Sequence, residues 1–352
     1  MCFICILILV KSIIHFLIFV IIFNFFAIIP VFSEDSDETP VQEEQKPLKT
    51  KHSLSLYNFS VSPFFGFAYG QAEELVYPTS TRAQFLSELI WEMKPVYYIG
   101  GKFEFGLIDK MTRLGFFSSL SMKAGVPGFT GIHENSDWES IENNALTHFS
   151  SHDNRTIEFF WADIDIGATI PAVFLYIKPF FTGSWMRFSF SGHDGEGKYA
   201  REKNPPSKVF YPISDNPKLR EFSGKVITYQ QNWFLASAGL AIGTEILSPF
   251  YLEMSFKIST LTYCAAVDHH IEAEKVFYDY TGLGLFLEPK ASISYRLNNL
   301  IFSAEGIYRH IGHTRGITYL RQNNNEFVIP LANESGAGLS LFSVNILLRI
   351  LL

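Results

Sequence analysis

The chain is short of charge, nearly free of cysteine and, beyond its first 33 residues, without a long apolar run. Lys, Arg, Asp and Glu make up only 18% of its 352 residues, less than a water-soluble globule usually carries. The formal charge is −7, so no basic surface is expected to hold a nucleic acid. No segment past the N-terminus offers the roughly 20 consecutive apolar residues of a spanning helix. Even so, 47% of the residues are hydrophobic and 16% aromatic. Apolar content that is high but scattered over alternating positions is the composition of a transmembrane β-barrel.

The exception is Met1 to Ser33, whose only charged residue is Lys11 and which ends in Val31-Phe32-Ser33. A signal peptide over 1–33, cut near Ser33, is expected. The competing reading is an uncleaved anchor helix, for which the block is long enough. Cleavage removes Lys11 and no acid, taking the charge from −7 to −7 − 1 = −8. Cys2 and Cys5 leave with the segment, so Cys264 is left without an intramolecular partner. A packed strand thiol is its expected fate. Residues 34–53 hold Glu34, Asp35, Asp37, Glu38, Glu43 and Glu44 and almost nothing apolar, an acidic disordered linker. One domain fills 54–352.

In that domain Leu252, Met254, Phe256 and Ile258 alternate with Glu253, Ser255, Lys257 and Ser259. Phe103, Phe105 and Leu107 alternate with Lys102 and Glu104, and Ala291, Ile293, Tyr295 and Leu297 with Lys290, Ser292, Ser294 and Arg296. Phe342, Val344, Ile346, Leu348 and Ile350 oppose Ser343, Asn345 and Arg349. A helix would mix these sets on every face, so the pattern predicts strands. Ten are expected, near 54–77, 82–107, 112–132, 155–175, 176–192, 225–245, 249–268, 277–297, 299–317 and 335–352. Short connections are expected on one rim and long loops at 133–154, 193–224 and 318–334 on the other. The fold class is therefore an all-β, ten-stranded antiparallel barrel that extends above the outer membrane. A soluble β-sandwich is the alternative, disfavoured by the export signal and the terminal apolar strand.

Two acidic clusters with histidines are expected at loop rims. One runs through His133, Glu134, Asn135 and Asp137, then His148 and His152; the other is Asp268-His269-His270. In an extended strand Asp268 and His270 share a face, where the carboxylate can fix the imidazole tautomer. Such a histidine can take a proton from water. His133, His148, His152, His193 and His269 are read as solvated loop residues. The i, i+4 spacing of His148 and His152 serves zinc only on a helix, so no metal is expected.

At these residues the sequence resembles the omptins, outer-membrane aspartate-histidine endopeptidases of ten strands. Asn135-Ser136-Asp137-Trp138 is similar to their Asp-x-Asp-Trp, and Asp268-His269-His270 to their Asp-x-His. Glu74-Leu75-Val76-Tyr77 resembles the stretch supplying a glutamate to the pocket for a basic side chain. Arg187-Phe188-Ser189-Phe190 resembles a strand whose arginine contacts lipopolysaccharide phosphate. The resemblance implies peptide hydrolysis by an activated water, with Asp137, Asn135, Asp268 and His270 catalytic, Glu74 binding substrate and Arg187 binding lipid. It implies no cofactor beyond lipopolysaccharide or a similar lipid, peptide or protein substrates, and a monomer in the bacterial outer membrane with its site facing outward. The departures are Asn135 in place of the first aspartate, Ala266 in place of a second pocket acid, Asn232 in place of a second lipid-contacting arginine, and Leu352 in place of a terminal aromatic. An amide cannot carry charge or accept a proton. The second reading is therefore a catalytically inactive barrel serving as an adhesin or structural protein. A diffusion pore is the third, opposed by the narrow lumen of ten strands.

Overall fold

A computed structural model describes residues 54–78, 85–109, 113–140, 145–322 and 327–352. The expected signal peptide and linker lie outside the described residues. Among the described residues, thirteen strand segments form one closed antiparallel sheet: β1 Leu54–Tyr77, β2 Ser87–Asp109, β3 Gly115–Gly125, β4 Gly128–Asp137, β5 His148–Pro171, β6 Tyr176–Tyr199, β7 Lys218–Leu247, β8 Phe250–His270, β9 Lys275–Gly282, β10 Phe286–Leu297, β11 Leu300–Ile311, β12 Arg315–Gln322 and β13 Ile329–Leu351. β13 pairs with β1, closing the ring. Three staves are each two segments, β3 with β4, β9 with β10, and β11 with β12. Thirteen segments thus make ten staves, the expected number.

The three interruptions have local causes. Pro127 lacks the N–H that would continue the ladder between β3 and β4. Leu283-Gly284-Leu285 steps out of line with Leu283 at φ 63°, and the Gly284 N–H donates to Thr262 Oγ1 at 2.7 Å. Where β11 gives way to β12, the Ala337 N–H donates to Thr314 Oγ1 at 3.1 Å. A threonine hydroxyl stands in for the missing ladder partner at both sites.

Along the lower part of each stave the apolar set faces out. Ile99, Phe181, Met254, Phe256, Ile293 and Phe342 are exposed, whereas Lys257, Ser259, Glu288, Ser292, Ser343 and Asn345 are buried in the lumen. This is the reverse of a water-soluble sheet and the arrangement lipid demands. The belt runs from the short turns at 172–175, 248–249 and 298–299 up to Tyr69, Tyr97, Trp185, Phe234, Leu261 and Tyr308. At belt level the lumen is filled by ion pairs. Lys257 reaches Glu288 at 3.1 Å and Arg309 reaches Asp163 at 3.3 Å while also pairing with Glu288. Charges this well buried persist because each finds an opposite charge.

Above the belt the lumen is sealed by Trp91, Met186, Phe188, Phe190, Tyr229 and Trp233, none more than 1% exposed. Each large aromatic buried there contributes about 1.5–3 kcal/mol. The staves then continue upward well past the expected limits. Residues 133–137, 148–154, 193–199 and 218–224, expected in long loops, extend β4, β5, β6 and β7. The sequence hid this because strands that stand clear of lipid are wetted on their outer face and lose the apolar alternation.

Candidate active site at the upper rim

The β4–β5 hairpin is in register with Asp137 opposite His148, Asn135 opposite Ser150 and His133 opposite His152. These are alternate residues of two strands, so they share the lumenal face. On the other side β4 pairs with β2, placing Ser87 opposite Asp137 and Trp91 opposite His133. The Ser87 hydroxyl donates to Asn135 Oδ1 at 3.3 Å and is also a partner of the Asp137 carboxyl. Burial raises the Asp137 pKa, and Ser87, His148 and His270 partly offset that rise.

Across the opening, Asp268 and His270 lie on the lumenal face of β8. His270 Nε2 donates to Asp268 Oδ2 at 2.5 Å, which leaves Nδ1 as the basic nitrogen. Burial alone would lower the His270 pKa, but the Asp268 charge and hydrogen bond outweigh it and raise the pKa above the usual histidine value, with Asp137 adding to the rise. Asp137 and His270 thus sit at one end of the barrel and within reach of each other's charge.

A cavity of about 280 Å³ lies at this rim, lined by Asn135, His133, Ser150, His152, Arg220 and His270 among others. Its floor is built, not incidental. His133, 1% exposed, stacks on Trp91 with ring centroids 3.8 Å apart, and its Nδ1 lies 3.2 Å from the Ile90 carbonyl, to which it donates. Burial pushes its pKa down to about 3, so the ring is neutral. His152 donates from Nδ1 to the Asp194 carbonyl at 2.5 Å, and Ser150 donates to its Nε2 at 3.0 Å. A bulge at His193 to Gly195 aims that carbonyl. Gly195 has φ 109°, and a Cβ there would meet the Ser151 carbonyl oxygen at 2.0 Å.

His133 and His152 are therefore packed neutral rings and not the solvated loop residues expected, and His148 stands beside Asp137 on a strand. The legible signal was period two: His148-x-Ser150-x-His152 is the alternation of a strand with a polar lumenal face. The expectation that the clusters sit on loops is corrected likewise, since all the carboxylates and the imidazole are held by barrel walls.

Glu74 of β1 faces inward but does not line this cavity. It is 3% exposed, in electrostatic contact with Asp268 and with Asp279 of β9, which the sequence reading had passed over. Ala266 lies directly across from Asp279 in the β8–β9 register. Arg187 projects from the outer surface at the top of the belt, where Nε donates to Glu158 at 2.6 Å and Nη2 to Gln230 Oε1 at 3.2 Å. Asn232, its cross-strand partner, brings no cation. Cys264 is a fully buried thiol on β8, as expected.

Among solved structures, the outer membrane protease OmpT from Escherichia coli superposes with a TM-score of 0.75 at 18% identity, covering 86% of this chain and 99% of that one. The translocator domain of autotransporter NalP from Neisseria meningitidis matches at 0.30 and 11% over 84% and 88% of the two chains, and the P. putida toluene transporter TodX at 0.27 and 7% over 84% and 90%. No curated protein sequence matches the chain. The Omptin family model matches residues 55–350, which takes in every described stave, and the chain belongs to that family.

Proposed function

We propose that this barrel hydrolyses peptide bonds at its upper rim, facing the cell exterior. The observation that carries the reading is the Asp268–His270 pair at one end of the lumen with Asp137, each histidine and carboxylate held by a strand and the 280 Å³ cavity open beside them. His270 takes a proton through Nδ1 from a water, whose oxygen attacks the scissile carbonyl carbon. Asp137 orients that water, and the amide of Asn135 beside it donates a hydrogen bond toward the developing oxyanion. The protonated His270 then hands its proton to the leaving amine as the carbon–nitrogen bond breaks, so no covalent intermediate forms.

Substrates are peptides or proteins, with Glu74 favouring a basic side chain. Arg187 already holds Glu158, so a lipid phosphate would bind there only by displacing or bridging that carboxylate. We place the protein as a monomer in the outer membrane. The inactive-barrel reading draws on Asn135, which removes one ionisable group from the rim. Refolded protein offered a quenched peptide with paired basic residues decides between the two. Cleavage that is lost in His270→Ala supports the hydrolase; no cleavage by the wild type, or cleavage untouched by that change, leaves the inactive barrel.

A further inference from the structure

The 280 Å³ cavity at the rim is walled by rings, whereas the lumen at belt level is ionic. His133 and His152 stand nearly parallel, 18° apart with centroids at 5.6 Å. Phe222 meets His152 edge-on, at 4.8 Å and 69°. Tyr199, Val226 and Ile227 also line the space. Glycines of β6 make room for these side chains. A Cβ at Gly197 would meet the Tyr199 ring at 2.8 Å and the Phe222 ring at 3.1 Å, and one at Gly192 would meet Ile227 at 2.7 Å.

These walls present no unbalanced charge to a guest. His133 and His152 each donate from Nδ1 to a backbone carbonyl, of Ile90 and Asp194, and burial lowers the pKa of both, so the rings are neutral. Arg220 is paired with Glu272 and lies over the Phe222 ring at 4.6 Å, which makes the cation part of the wall. Asn135 and His270 line the same cavity, joining it to the reacting end.

We propose that this cavity is a subsite for an aromatic side chain of the substrate, on the residue across the cleaved bond from any that Glu74 receives, and that Phe222 determines its selectivity. The inference rests on the hydrolase reading and gives it a second substrate position. A void of about 150 Å³ already holds a benzene ring, so this cavity takes a phenyl, phenol or indole with its methylene. A guest ring finds faces in the two imidazoles and in Phe222, for the offset or edge-on contacts that aromatic pairs prefer. A charged side chain would leave water for walls that offer it no free countercharge. Burying the ring should favour phenylalanine over alanine by roughly 10–100-fold in kcat/KM, and ring contacts should add about threefold over a saturated ring of the same bulk.

The test measures kcat/KM of the full chain, refolded in detergent, on quenched peptides carrying phenylalanine, cyclohexylalanine, alanine or glutamate in turn on either side of the cleaved bond. At one of the two positions the order should be phenylalanine, cyclohexylalanine, alanine, and the phenylalanine-to-alanine ratio should fall about tenfold in Phe222→Ala. Phe222→Leu, which keeps bulk and removes the ring, should bring phenylalanine and cyclohexylalanine close to level with both still above alanine, a result that a folding defect would not give. Binding is read without turnover from the fluorine resonance of N-acetyl-4-fluorophenylalaninamide, which should shift beyond its value in empty micelles with the wild type and not with Phe222→Ala. Phenylalanine and alanine within about twofold at both positions, glutamate cleaved fastest, or ratios untouched by Phe222→Ala, overturns the subsite and leaves the hydrolase standing. A Phe222-dependent fluorine shift with no peptide cleaved keeps the aromatic site and removes the hydrolase; neither shift nor cleavage removes both.

Discussion

Asp268 holds His270 by a 2.5 Å bond between Oδ2 and Nε2 while its own Oδ1, buried, accepts nothing. One carboxylate thus faces two environments, a histidine above and two acids below. The tautomer of the ring follows: Nε2 carries the proton and Nδ1 is free to act as base.

His270→Ala should lower kcat by roughly 10²–10⁴, the usual worth of a positioned base. In the wild type kcat/KM should rise with pH through a midpoint above the usual histidine value, because His270 must be neutral to act and its pKa is raised. Asp268→Asn removes the charge that raises it, so burial then dominates and the midpoint should move to lower pH while the plateau falls. Stopped assays between pH 5 and 9 read both. A midpoint that stays put would detach His270 from the rate-limiting proton transfer.

Asn135→Asp sets a second carboxyl two residues from Asp137 on the same face, and two such groups cannot both ionise freely. One proton should be retained to higher pH, which changes the pH profile of kcat/KM if Asp137 and residue 135 both face the reacting water. An unaltered profile would remove residue 135 from the reacting centre.

Glu74→Gln should stabilise the barrel, and more so at pH 8 than at pH 4. The folded-state pKa of Glu74 is raised, so between the unfolded value and the folded one the native state binds more protons than the unfolded state. Stability therefore falls as pH rises across that interval, and an amide, which never ionises, escapes the loss. Heat-dependent gel mobility at the two pH values checks it; equal shifts at both would count against a buried acid at this position.

Arg309→Met leaves Glu288 and Asp163 short of a countercharge at belt level. Removing one partner of a buried pair typically costs 3–5 kcal/mol, and urea unfolding from detergent should show a loss of that order. A change below about 1 kcal/mol would mean that water reaches this layer and screens it.

The barrel and its stave count were legible because lipid imposes a period-two code on every strand that touches it. Met254, Phe256 and Ile258 against Glu253, Lys257 and Ser259 carry that code without any knowledge of neighbours. Asp-x-His was legible for the same reason: strand geometry alone puts Asp268 and His270 on one face. Above the lipid the code lapses, so His133, His148 and His152 looked like loop residues.

Register and closure of the sheet decided the rest. Asp279 joins Glu74 and Asp268 only because β9 pairs with β8 and β1 comes round to meet them, contacts between residues some 200 positions apart in the chain. Burial, and with it every shifted pKa at the rim, arises from side chains contributed by several staves at once. Local sequence encodes which way a side chain points, whereas what it points at depends on the closed sheet.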